Sequence, residues 1–95
     1  MQSVLDRTTE IFLNFLYNCY NIPIRLIKES NKSVVYMGEI RCINGEIGIA
    51  KLEIKDNGRK IFTIYNNNRR EIYQSVNIKT EGRTKSLLDK MVYGK

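Results

Sequence analysis

Histidine and tryptophan are absent from this chain, proline occurs once and cysteine twice. Without histidine, proton transfer near neutral pH falls to carboxylates, lysine or tyrosine, and a cysteine nucleophile lacks its commonest base. Cys19 and Cys42 stand far apart with no CxxC between them, which excludes a zinc motif and a disulfide framework and predicts two buried, reduced thiols. No metal or other cofactor is implied. A single proline, six glycines and the lack of any repeat or low-complexity tract leave no linker, so residues 1–95 read as one compact domain. No apolar run is long enough to span a bilayer: the longest, Ile11 to Tyr20, is interrupted by Asn14 and Asn18 and is about half the required length. Asp6 and Glu10 precede that run where a signal peptide carries basic residues, so the expectation is an intracellular, cytoplasmic protein with no membrane partner.

What the chain does have is positive charge, unevenly placed. The formal net charge is +6, and nine of the 16 basic residues follow residue 58. A concentrated basic region attracts polyanions, and it also keeps a small protein soluble.

Ser3 and Asp6 suit the start of a helix from Val4 to Tyr20, with Asn21 and Pro23 stopping it. Leu5, Ile11, Phe12, Phe15, Leu16, Cys19 and Tyr20 recur at helical spacing, while Leu13 and Tyr17 fall outside the stripe. A helix this apolar either packs on more than one side or offers Ile11, Phe12, Phe15 and Leu16 to a second copy as a homodimer contact. From Ile22 onward the period is two, giving strands over Ile22–Lys28, Ser33–Ile43, Glu46–Lys55, Arg59–Asn66 and Glu71–Ile78. Asn44-Gly45 and Asp56-Asn57-Gly58 predict tight hairpins, the first with two positive φ angles. Thr84 can cap a last helix carrying Leu87, Leu88, Met91 and Val92. The predicted fold class is therefore α+β: an N-terminal helix, an antiparallel meander of four to five strands and a short C-terminal helix, with one sheet layer covered by helices on one face.

Alternation assigns the faces. Val34, Tyr36, Ile40, Cys42, Ala50, Leu52, Ile54, Phe62, Ile64, Ile72, Val76 and Ile78 are expected to meet the helices. Met37, Glu39, Arg41, Lys51, Glu53, Lys55, Thr63, Tyr65, Tyr73, Ser75 and Asn77 are expected opposite them. Ile47 and Ile49 break this parity, and a bulge at Gly48 is the expected remedy.

Motifs with chemistry are few. Glu53-Ile54-Lys55, with Glu46 upstream, has the acid-x-lysine form of metal-dependent nucleases, but a solvated strand face with cross-strand ion pairs has the same form and the further carboxylates are missing. Gly45-Glu46-Ile47-Gly48 has the spacing of a nucleotide-clamping loop, yet strands flank it where helices belong. Gly82-Arg83-Thr84-Lys85-Ser86 offers two cations and amides at a helix start, a pattern that also serves purely structural starts. Arg59 to Tyr65 is basic and aromatic like an RNA-recognition strand but lacks that motif's glycines.

In YNNNRREIYQ, residues 65–74, asparagines suited to a hairpin tip are joined by Arg69 and Arg70 and flanked by Tyr65 and Tyr73. Tyrosines on one sheet face stack with bases while arginines meet phosphates; the same tyrosines can instead form a cross-strand pair that only holds the hairpin. The functional expectation is a small non-enzymatic nucleic-acid-binding or regulatory protein using Arg59, Lys60, Tyr65, Arg69, Arg70, Tyr73, Lys79, Arg83 and Lys85, which would equally suit an acidic protein surface. The alternative is a protein-interaction module, an inhibitor or accessory subunit of a phage or mobile element acting on a host nucleic-acid complex, docking through the first helix or the sheet face.

Overall fold

The computed structural model describes residues 6–95, so Ser3, Val4 and Leu5 lie outside the described residues. Helix α1 spans Arg7–Tyr20 and starts three residues later than expected, because Asp6 is itself the cap: its Oδ1 accepts a hydrogen bond from the Thr9 amide at 2.8 Å. The far end closes on Asn21, whose left-handed backbone (φ 55°) lets its own N–H donate to the Tyr17 carbonyl and that of Ile22 to the Leu16 carbonyl. Thr9, Phe12, Leu16 and Tyr20 form the buried face of α1.

Five strands follow, β1 (Arg25–Glu29), β2 (Ser33–Arg41), β3 (Ile47–Lys55), β4 (Lys60–Tyr65) and β5 (Glu71–Ser75), and then α2 (Arg83–Leu88), which runs on as a π-helical turn over Asp89–Tyr93. The strands pair antiparallel in sequence order as one open sheet, which settles the fold as α+β. Both helices lie on one face. There Phe12 and Leu16 meet Val34, Ile40, Leu52, Phe62 and Ile64, and Leu88 closes the core from α2. Phe12 and Phe62 set the contact edge to face, 4.9 Å between ring centroids and 81° apart. Each of these buried side chains contributes roughly 1.5–3 kcal/mol by leaving water.

Because Phe12 and Leu16 are 1% and 0% exposed, the four-residue dimer face proposed from the sequence is not available as such. Ile11 is exposed and Phe15 half-buried. Cys19 is also exposed rather than buried, while Cys42 is half-buried and both thiols are free. Burial pushes the Cys42 thiol up from its ordinary value.

Two bulges set the faces, and neither is at Gly48. β3 runs in unbroken register against β2 from Arg41↔Ile47 to Ser33↔Lys55, so Ile47 and Ile49 simply lie on the helix-free face. A Cβ on Gly48 would stand 2.8 Å from the Tyr65 carbonyl oxygen, which accounts for the glycine without a bulge. The irregularities fall between Leu26 and Lys28 in β1 and opposite Ile64/Tyr65 in β5, where Ile72 is the extra residue. That extra residue reverses the expected parity of β5. Tyr73 and Ser75 pair with the core-facing Ile64 and Phe62, whereas Ile72 and Val76 are exposed.

The C-terminal segment is tied to α1 and to the β2–β3 hairpin. The Tyr20 hydroxyl donates to Asp89 Oδ1 at 2.7 Å, and the Ile43 amide donates to the Met91 carbonyl at 2.8 Å. The Tyr93 hydroxyl donates to the Cys19 carbonyl. Burial and then the Asp89 carboxylate push the Tyr20 phenol up, while the Tyr20 hydroxyl and then Lys85 hold Asp89 below the usual carboxylate range. Thr84 does not cap α2: it lies inside the helix, buried, with its hydroxyl 2.8 Å from that of Tyr73. Among the described residues no helix is long and apolar enough to cross a membrane.

Candidate functional site

All three long hairpins close in the same way. Cys42, Lys55 and Asn66 each donate their N–H to the residue four positions on, and the residue three positions on returns its N–H to their carbonyls. In the first two, Gly45 (φ 90°) and Gly58 (φ 85°) are the residues three positions on, so one positive φ replaces the two expected for Asn44-Gly45. In the third hairpin the position belongs to Arg69, at φ 63°. A left-handed non-glycine residue costs about 1 kcal/mol. Asn66 Oδ1 offsets part of that cost by accepting from the amides of Asn68 and Arg70, at 2.9 and 3.0 Å. The Arg69 and Arg70 side chains are exposed and make no ion pair among the described residues.

Beside this tip lies the helix-free face of the sheet. Tyr65 sits on it, in register with Ile49, and the Lys51 ammonium lies 5.5 Å from its ring centroid. Met37, Lys51, Thr63 and Gln74 form the next row across β2 to β5. Tyr73 is not there. Its ring packs against the core and its hydroxyl is engaged with Thr84, so the pair of same-face tyrosines expected around the tip does not form. One aromatic platform remains, and Lys51 joins it.

Comparison with protein-family models, with curated proteins and with solved structures returned no match.

The remaining cations fall elsewhere. Arg59 and Lys60 lie at the opposite end of β4 from Arg69 and Arg70, a strand of six residues and so about 20 Å away. With Lys79 they line a depression of about 290 Å³ near the start of α1, which also includes Thr8 and Asn77. Lys60 is held there by Asp6 at 2.6 Å, a contact that with the Thr9 amide brings the Asp6 carboxyl down to about 2. On α2, Lys85 pairs with Asp89 at 2.9 Å and Thr84 is occupied by Tyr73, while Arg83 is exposed and makes no ion pair among the described residues. Nine residues contiguous in expectation thus divide into a tip with Tyr65, a cluster at the far end, a helix surface and one core tyrosine. Among the described residues no group of three or more cysteine, aspartate or glutamate side chains is placed to hold a metal ion.

Alternation places Lys51 on the helix-free face, but nothing in the local sequence joins it to the tip. The sign that would have singled out Arg69 is the parallel among Asn44-Gly45, Asn57-Gly58 and Asn68-Arg69.

Proposed function

We propose that this chain is a non-enzymatic binder of nucleic acid, contacting phosphates through Arg69 and Arg70 and one exposed base through Tyr65 with Lys51 beside it. The observation that carries the reading is Arg69: a long cation occupies the strained turn position that glycine fills in both sister hairpins, and its guanidinium has no partner among the described residues. Backbone strain that Asn66 offsets only in part, kept at a position where glycine would remove it, supports a contact made outside the chain. The open sheet face next to it supports the same reading, since a tyrosine on an uncovered sheet stacks with unpaired bases, each worth about 1–3 kcal/mol. One platform and two to four cations give micromolar affinity with little sequence preference.

Fluorescence anisotropy with labelled single-stranded DNA, single-stranded RNA and duplex DNA across a salt series tests this. Arg69→Ala with Arg70→Ala is expected to weaken single-strand binding and to reduce the slope of log affinity against log salt by about 1.4, the share of two phosphate contacts. The melting temperature should not move, because alanine bears the same left-handed cost as arginine. Unchanged affinity in the double variant would remove the tip from the site.

A further inference from the structure

The two edges of the sheet are not equivalent. β1 pairs with β2 only as far as Arg25↔Met37, whereas β2 continues to Arg41. Gly38 to Arg41 therefore have a strand neighbour on one side only. The Cys42 amide bonds across to Glu46, and antiparallel pairs alternate, so Ile40 directs its N–H and C=O toward β3 while Glu39 and Arg41 direct theirs outward. The cause of the gap is visible at Gly38. The Pro23 carbonyl passes so close that a Cβ there would lie 2.3 Å from its oxygen, and the incoming chain joins the edge only at Arg25.

This gap is a cleft of about 390 Å³. Pro23, Ile27, Met37 and Ile49 give it apolar walls, and Arg25 and Arg41 outnumber its one acid, Glu39. Arg25 and Arg41 make no ion pair among the described residues.

We propose that this notch is a docking site for an extended peptide of acidic and apolar residues, added as a short strand to β2. Two observations choose that occupant. Outward amides and carbonyls on alternate residues, about 6.6 Å apart, match the spacing of an extended backbone. Residues placed opposite Glu39 and Arg41 project onto the helix-free face, where an apolar side chain meets Met37 and Ile49 and a carboxylate meets Arg25 and Arg41. The site is independent of the polyanion reading and lies on the other side of β3 from Tyr65.

Its test uses the whole chain, isotopically labelled, and blocked heptapeptides that alternate valine with glutamate or valine with lysine. Saturating valine-glutamate peptide is expected to slow amide exchange at Glu39 and Arg41 at least tenfold, and the valine-lysine peptide to bind at least tenfold more weakly. Arg25→Glu with Arg41→Glu should invert that preference, Arg41→Gln should weaken the acidic peptide without inverting it, and Arg69→Ala with Arg70→Ala should change neither. Absence of slowing at Glu39 and Arg41, or slowing confined to the β5 edge, would overturn the proposal. So would a single-stranded oligonucleotide that displaces the acidic peptide from the notch, since the cleft would then belong to the polyanion.

Discussion

Arg69 and Gly38 are the two residues whose backbone surroundings decide most. Replacing Arg69 with glycine would relieve the left-handed strain and remove the guanidinium at once, so stability and binding should move in opposite directions. Allowing for the larger entropy that glycine recovers in the unfolded chain, Arg69→Gly is expected to stabilise by at most about 0.5 kcal/mol, a few degrees in melting temperature. Oligonucleotide affinity should fall in the same protein, and thermal melts beside anisotropy measure both. Gly38 presents the reverse case. Its missing side chain is where the Pro23 carbonyl lies, and neither backbone can yield without moving β1 off the sheet. Gly38→Ala is expected to cost about 1–3 kcal/mol in urea unfolding, the scale of forced overpacking. Parental stability in that variant would show that the α1–β1 connection is looser than its geometry implies.

At the scale of elements, α1 depends on the cap that Asp6 supplies. Lys60 and the Thr9 amide both favour the ionised carboxylate, so its folded value, about 2, lies below the ordinary 3.8. A depressed acid contributes fully above its unfolded value and loses that contribution as pH falls through the folded one. Because the Asp6 side chain is 54% exposed, solvent screening limits the gain to about 1 kcal/mol, in line with ordinary capping. Asp6→Ala should therefore be about 1 kcal/mol less stable than the parent at pH 7, with the gap closing between pH 4 and pH 2; a gap that persists at pH 2 would assign the effect to something other than the carboxylate. The elements themselves were legible because α1 carries its apolar stripe at helical spacing and two of the three long hairpins carry Asn-Gly. β5 was not. The unpaired Ile72 turns Tyr73 inward, and nothing in Glu71-Ile72-Tyr73 distinguishes a bulged strand from a regular one. The tip arginines could be placed from the turn, but the distance from them to Arg59 and Lys60 depends on which end of β4 each hairpin occupies, a property of topology rather than of local sequence.

For the whole molecule, that separation changes what the positive charge can do. The tip and the Arg59, Lys60 and Lys79 cluster stand about 20 Å apart along β4, while at physiological ionic strength the Debye length is about 8 Å. The far cluster thus adds little to an anion bound only at the tip and contributes by contact once a strand is long enough to reach it. With about 3.4 Å per nucleotide along a base-stacked strand, reaching both ends takes about six stacked nucleotides. Arg59→Ala with Lys79→Ala is accordingly expected to leave tetranucleotide affinity at its parental value and to weaken binding of a 20-nucleotide strand, with a lower salt slope for the longer ligand alone. Lys60 is left in place in that variant because its partner Asp6 caps α1, and its removal would mix a stability effect into the binding measurement. An equal loss for both lengths would mean that the far cluster acts through the field of the whole protein. Parental affinity for both would confine the interface to the tip and the sheet face beside it.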